Sequence, residues 1–103
     1  MAINNTAIST GIAGSIYSST GSSAITTIHL CNYTANNTYA NIYLVPSGGT
    51  AGTQNIIYAN VSVTAYNTLI VYAEKFILGN GDAIYANCGA AGTITATVSS
   101  IGI

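Results

Sequence analysis

Two structural signals coincide in the stretch Leu78-Gly79-Asn80-Gly81-Asp82-Ala83-Ile84-Tyr85-Ala86-Asn87-Cys88. Asn80-Gly81 is typical of a tight turn, because both residues tolerate a positive φ. The carboxylate of Asp82 is short enough to accept hydrogen bonds from backbone N–H groups of that turn. From Ile84 onward, inward and outward positions alternate as in a strand with one buried face. The stretch therefore predicts a structural turn formed by Asn80, Gly81 and Asp82, which leads into a core strand.

The rest of the chain repeats this pattern of short alternating segments on both sides of the stretch. Further strands are predicted at about residues 15–18, 24–33, 39–45, 54–63, 68–72 and 93–99, with breaker residues between them. No segment of about ten residues or more has helical spacing. We therefore predict a single all-β domain over residues 1–103. It is expected to be an antiparallel β-sandwich, jelly-roll-like, with an extended N-terminal arm over about residues 1–14.

Alternation within the strands separates a core from an outer face. The predicted core comprises Ile28, Leu30, Ile42, Leu44, Leu69, Val71, Ile84, Ala86, Ile94, Ala96 and Val98. At the opposite positions, where a soluble sheet normally places charge, the chain has tyrosine, isoleucine and neutral asparagine. We predict an assembly interface that consists of Tyr39, Tyr43, Ile70, Tyr72 and Tyr85 together with the apolar C-terminal residues Ile101 and Ile103.

Charge is scarce in this chain. Its 103 residues include one Lys or Arg and two Asp or Glu, only 3% of the total, whereas about a quarter is usual. A net charge of −1 provides no electrostatic attraction for nucleic acid or an anionic membrane surface. No apolar run approaches the roughly 20 residues that span a bilayer, and no secretory signal is recognisable. We therefore expect neither a nucleic-acid nor a membrane partner, and predict a self-assembled state, a homotrimer.

Few side chains are available for catalysis. A triad could be drawn with His29 and Asp82, or a carboxylate pair with Glu74 and Asp82, but no nucleophile elbow of the G-x-S-x-G type is present. A turn-stabilising Asp82 and a solvated Glu74-Lys75 pair explain the same residues. Gly79-Asn80-Gly81 lacks the Lys and Ser/Thr that complete a phosphate-binding loop. We predict that the protein is not an enzyme and has no catalytic residue and no cofactor; a small hydrolase is the disfavoured alternative.

The possible soft metal ligands are Cys31, Cys88 and His29, without C-x-x-C or H-x-x-x-H spacing. Reduced cysteines behave as small hydrophobic residues, so two structural thiols are the favoured interpretation. A disulfide and a metal site are the alternatives, and the sequence leaves open whether Cys31 and Cys88 are bonded. We predict no metal site.

Several motifs, taken in order, resemble small virion structural proteins of tailed bacteriophages, including those of marine cyanobacterial phages. The strongest are Val45-Pro46-Ser47-Gly48-Gly49 and Gly81-Asp82-Ala83-Ile84-Tyr85-Ala86. Supporting segments lie at residues 1–7, 24–32, 57–58, 68–71 and 74–78. The chain departs from the pattern of such relatives in the mid-chain strands, where it has Asn, Tyr and Ala instead of Asp and Lys.

The resemblance implies a non-enzymatic virion component that is assembled in the host cytoplasm. Its implied partners are copies of itself and other virion proteins such as the major capsid protein. The first interpretation is a capsid decoration or cement protein on the head. The alternative is a neck, tail or fibre component, including a receptor- or glycan-binding tip module, for which exposed Tyr and Asn are suitable. The sequence does not distinguish these locations, nor does it give the copy number, the neighbouring proteins or the host.

Overall fold

The structure is a computed structural model that describes residues 2–8, 13–71, 76–89 and 94–102. Within these ranges the chain forms β-strands and no helix, so none is long and apolar enough to cross a membrane. The strands are β1 (Ala2–Ala7), β2 (Gly14–Ser18), β3 (Ser23–Asn32), β4 (Thr38–Val45), β5 (Ile56–Val63), β6 (Thr68–Val71), β7 (Phe76–Leu78), β8 (Ala83–Cys88) and β9 (Ile94–Gly102).

The strands form two antiparallel sheets. Sheet A has the order β1-β9-β3-β6, and β7 also pairs with β3; sheet B has the order β2-β8-β4-β5. Apolar side chains from both sheets form one buried cluster. The protein is therefore an all-β sandwich of antiparallel sheets, as predicted from alternation and turn spacing.

Strand pairing is nested along the chain. β4 pairs with β5, β3 with β6 and β7, β2 with β8, and β1 with β9, each antiparallel. The remaining neighbours, β3 with β9 and β4 with β8, join these pairs into the two sheets. The first and last of the described strands therefore lie side by side.

The predicted core is largely the observed one. Nine of its residues are buried: Ile28, Leu30, Ile42, Val71, Ile84, Ala86, Ile94, Ala96 and Val98. Leu44 and Leu69 are only partly buried, although both pack against the cluster. Leu44 lies opposite the buried Ile84 of β8, and the next residue, Val45, is buried as well.

A bulge in β3 explains another core residue. The register against β9 shifts between Ile25 and Thr27, and both Ile25 and Ile28 are fully buried. Strict alternation would place these two residues on opposite faces. The extra residue in the bulge restores Ile25 to the inner face.

Residues 2–8, predicted from the sequence to belong to an extended arm, lie in the sandwich itself. β1 pairs with β9 along its whole length, and Ile8 and Ile16 belong to the buried cluster. The alternation of β1 is weak, but β9 offers an edge of backbone donors and acceptors that a neighbouring strand can satisfy. Pairing with a distant partner, not local pattern, makes this segment a strand.

Candidate functional site

The turn formed by Asn80, Gly81 and Asp82 is hydrogen-bonded to two other loops, one at Gly21 and one at Ser47. The two carboxylate oxygens of Asp82 accept hydrogen bonds from the backbone N–H of Ser47 and that of Gly79, each at 2.9 Å. Asn80 Oδ1 accepts one from the N–H of Gly21 at 3.0 Å. Hydrogen bonds to backbone N–H groups thus occupy both carboxylate oxygens, so the described contacts of Asp82 hold the backbone of this corner.

Backbone bonds reinforce the same corner. Ser19 donates to the carbonyl of Asp82 at 2.8 Å, and Gly81 donates to the carbonyl of Ser19 at 2.9 Å. Gly81 has a φ of +87°, and a Cβ at this position would lie 2.5 Å from Ser47 Oγ. Gly81 is therefore required both by its backbone conformation and by the close approach of the 46–47 loop.

Gly81→Ala is expected to lower the free energy of unfolding by about 2–3 kcal/mol, because the cost of a side chain at a positive φ adds to the cost of a steric clash. The measurement is urea-induced unfolding followed by circular dichroism. Gly48→Ala is the matched control, since Gly48 has a φ of +79° but open space around its Cβ position. It should cost only about 1–2 kcal/mol. Equal losses in the two variants would contradict the role assigned to Ser47.

The predicted interface residues lie on two opposite faces of the sandwich. Tyr39, Tyr43 and Tyr85 alternate with buried residues of sheet B, and Tyr43 lies directly opposite Tyr85. Ile70 and Ile101 are exposed on the outer face of sheet A. Tyr72 and Ile103 lie outside the described residues. The described members of the predicted set therefore belong to two separate surfaces.

An open groove with a volume of about 370 Å³ lies on the outer face of sheet B. Tyr43, Tyr85 and Asn87 line it from the strands, and Ala13 and the loop residues 49–51 complete it. None of these residues carries a charge. The groove can accommodate a small neutral ligand with apolar and hydroxyl-rich parts, since tyrosine offers a flat apolar ring and a polar tip.

Asparagine side chains hold the walls of this groove. Asn41 Nδ2 donates to Asn87 Oδ1, and Asn41 Oδ1 accepts from the N–H of Asn60, both at 2.8 Å. In the loop, Asn55 Nδ2 donates to the carbonyl of Thr50 at 2.8 Å, and Asn55 Oδ1 accepts from the N–H of Gly52 at 3.0 Å. Hydrogen bonds within the chain thus hold the residues of the groove wall in place.

In its described part, the outer face of sheet A has no Asp, Glu, Lys or Arg side chain and carries exposed isoleucines among Thr, Ser, Asn and His residues. Four isoleucines are exposed there: Ile3 (70%), Ile70 (40%), Ile77 (60%) and Ile101 (38%). Ile101 and Ile77 flank Ala24 in one cross-strand row, and Ser99 separates Ile3 from Thr27 in another. Ile3 and Ile77 lie outside the interface predicted from the sequence, although their outward position follows from alternation once the pairing is known.

The residues considered for catalysis and metal binding are dispersed. His29 lies between Thr97 and Ile70 on the outer face of sheet A, whereas Asp82 is held in the turn between the sheets. Glu74 and Lys75 lie outside the described residues. Among the residues that the structure describes, no three His, Cys, Asp or Glu side chains are placed to hold a metal ion.

The two cysteines lie in different sheets and are present as thiols. Cys31 is half-buried and alternates with the buried Leu30 and Asn32 of sheet A. Cys88 is buried in the core, and its Sγ lies 3.6 Å from the carbonyl oxygen of Ile8. Cys88 therefore packs as a small core residue that helps to hold the end of β1.

Comparisons with protein-family models, with curated proteins and with solved structures find no match for this chain.

Proposed function

We propose that this protein is a non-enzymatic structural subunit of a tailed-phage virion, in the first place a capsid decoration or cement protein on the head. The observation that carries the proposal is the uncharged outer face of sheet A with its four exposed isoleucines. Contiguous exposed apolar surface usually marks a protein–protein contact. The resemblance of the motifs at 45–49 and 81–86 to virion proteins supplies the choice of assembly.

The strand order supports a jelly roll as the finer description of the sandwich. If β6 and β7 are counted as one interrupted strand, two four-stranded sheets result from nested antiparallel pairs. Jelly rolls with eight strands occur in viral capsid proteins and in lectins. One fold can serve unrelated functions, so the shared architecture supports these roles by analogy alone. It favours the two kinds of role proposed here, building a shell and binding a glycan.

The proposed partners are other copies of the chain, as a homotrimer, and other virion proteins such as the major capsid protein. Apolar side chains supply the contact, so Coulomb attraction contributes little to it. In this proposal the protein assembles in the host cytoplasm and is incorporated into the virion. Electron cryomicroscopy of particles that contain the protein tests it directly: ordered copies on the icosahedral shell are expected, and density confined to the neck, tail or fibres would overturn the decoration role.

The purified chain is expected to sediment as an oligomer at micromolar concentration, with the same distribution at low and high salt. Ile77→Lys should weaken association by at least about tenfold, because an apolar contact is lost and a charge must be desolvated. Gln54→Lys adds the same charge in an exposed loop on a different part of the surface and is the matched control. A monomeric parent protein, or equal effects of the two lysines, would contradict assembly through sheet A.

The groove favours a second candidate function, a glycan-binding tip module. Tyr43 and Tyr85 can stack on the apolar face of a sugar ring, and the amide of Asn87 and hydroxyl of Thr50 stand beside them in the lining. The absence of charged residues from the lining favours a neutral saccharide over a sulfated or acidic one.

Titration of ¹⁵N-labelled protein with cellobiose or lactose at millimolar concentration should shift the amide resonances of Thr50 and Asn87. Tyr85→Ala should weaken this response by at least about tenfold, since the stacking surface is lost. Tyr39→Ala is the control, because Tyr39 is exposed on the same strand as Tyr43 but does not line the groove. Shifts only with an acidic sugar, or no shifts with any, would contradict a neutral glycan site.

A further inference from the structure

We infer that β1 is a docking edge for a second copy of this chain, and that two β1 strands pair antiparallel about a two-fold axis at Asn5. The inference rests on the proposed self-association, and it gives a two-fold dimer in place of the proposed homotrimer. In sheet A, the described residues place β9 on one side of β1 and no strand on the other. The open side is a row of backbone donors and acceptors that a strand can pair with.

The hydrogen-bond pattern identifies which groups face the open side. The N–H of Ile8 donates to the carbonyl of Ile94 at 3.0 Å, in register with the β1–β9 pairing of Ala7 with Thr95. In an antiparallel ladder, hydrogen-bonded and non-hydrogen-bonded pairs alternate. Even-numbered residues of β1 therefore bond to β9. The N–H and C=O groups of Ile3, Asn5 and Ala7 point to the open edge.

These groups select one register for a symmetric pair. A two-fold axis relates the strands, so Asn5 faces Asn5, while Ile3 faces Ala7 and Ala7 faces Ile3. Each of these pairs can exchange two backbone hydrogen bonds. The alternative centred on Asn4 leaves the open groups of Ala7 without a partner in the other β1. The register centred on Asn5 uses all of them.

The side chains are compatible with this register. All three facing pairs lie on the outer side of sheet A, and none contains a charge that would repel its copy. Asn5 Oδ1 already accepts a hydrogen bond from Thr97 Oγ1 at 2.8 Å, which holds its amide at the proposed axis. Pairing would also place the outer faces of sheet A of the two copies side by side in one extended sheet.

The other edges of the sandwich are built differently. β2 carries a bulge between Ser15 and Tyr17, and the pairing of β5 is interrupted twice, with Asn60 at a φ of +50°. β6 and β7 are only four and three residues long. Bulges and short strands are the usual protection against edge pairing. β1 has six residues in unbroken register, so it is protected neither by a bulge nor by a short length.

Asn5→Pro tests the inference in the full chain. Proline at position 5 removes a donor from the open edge but none from the β1–β9 ladder, so its monomer should unfold at the same temperature as that of Asn5→Thr, which also lacks the amide bonded to Thr97. Sedimentation should show dimerisation weakened by at least about tenfold. Asn5→Thr retains the N–H and should dimerise like the parent. Asn4→Pro removes a donor to β9 and should instead lower the unfolding temperature. This variant checks that the even-numbered residues of β1 are the ones that bond to β9.

Asn5→Cys adds a positive readout. Facing Cα atoms of a hydrogen-bonded pair are about 5.5 Å apart, within the range that a disulfide spans. Mild oxidation should yield a covalent dimer on non-reducing gels, and the parent chain with Cys31 and Cys88 controls for other cross-links. A trimer, or association unaffected by Asn5→Pro, would overturn this inference and leave the proposed function standing. A monomeric parent would overturn both this inference and the proposed self-association.

Discussion

Asn32→Asp is expected to lower the free energy of unfolding by about 3–5 kcal/mol, because it leaves a buried charge without a compensating partner. Asn32 is fully buried at the end of β3. Its Nδ2 donates to the carbonyls of Asn36 at 2.7 Å, Val63 at 3.1 Å and Thr64 at 3.2 Å. A carboxylate has no donor for these three carbonyl oxygens and would place its own negative oxygen against them.

The oxygen side of the amide is not what the change removes, because a carboxylate oxygen still accepts hydrogen bonds. Asn32 Oδ1 accepts from the N–H of Thr34 at 3.0 Å and from Thr34 Oγ1 at 2.8 Å. One side chain therefore connects the loop after β3 with the loop after β5. Because both loops depend on it, we expect the variant to lose order at this end of the sandwich as well as global stability.

Urea-induced unfolding at neutral pH, monitored by circular dichroism, measures the loss. Asn36→Asp makes the same chemical change at an exposed side chain in the adjoining loop and should alter stability by less than about 0.5 kcal/mol. A loss below about 1 kcal/mol for Asn32→Asp would show that the amide network described here is not required for the fold.

Ile84→Ala is the second change with a large expected effect, a loss of about 3–5 kcal/mol in the free energy of unfolding. Ile84 is fully buried in β8, between Leu44 of β4 and Tyr17 of β2. β8 is an inner strand of sheet B, so the shortened side chain leaves a cavity that neighbouring strands cannot readily close.

Two matched truncations in sheet B calibrate this value. Leu44→Ala should cost about 2 kcal/mol, at the low end for such changes, because Leu44 is only partly buried. Ile57→Ala should cost less than about 1 kcal/mol, since Ile57 is 40% exposed. Equal losses at Ile84 and Ile57 would contradict the assignment of the core to the inner face of β8.

Packing, not charge, is therefore expected to dominate the stability of this chain. Among its described residues the one carboxylate side chain, Asp82, accepts bonds from backbone N–H groups of the two loops that it joins. The buried cluster and the asparagine networks hold the remaining elements together. This arrangement leaves the outer faces neutral, which suits a subunit covered by neighbours.

Local sequence determined the turn and the strands that depend on it. Asn80-Gly81 favours a positive φ by itself, and Gly81 has one at +87°. Alternation around Ile84 and Ile94 places the correct residues in the core, because the side-chain period of a strand is a property of its own backbone. The all-β sandwich was predictable for the same reason. Alternation also places Asn32 on the same inner face as Ile28 and Leu30. Its burial was therefore predictable, although it is not among the predicted core residues.

Tertiary structure alone decided how these strands are used. β1 becomes a strand through β9, whose residues lie more than eighty positions further along the chain. The bulge after Ile25 changes which face its neighbours occupy, and local alternation cannot reveal it. Long-range pairing also brings Tyr43 opposite Tyr85 while placing Ile70 on the other sheet. Register and sheet membership arise from distant backbone partners, so alternation predicts that a side chain points outward but not which surface it joins.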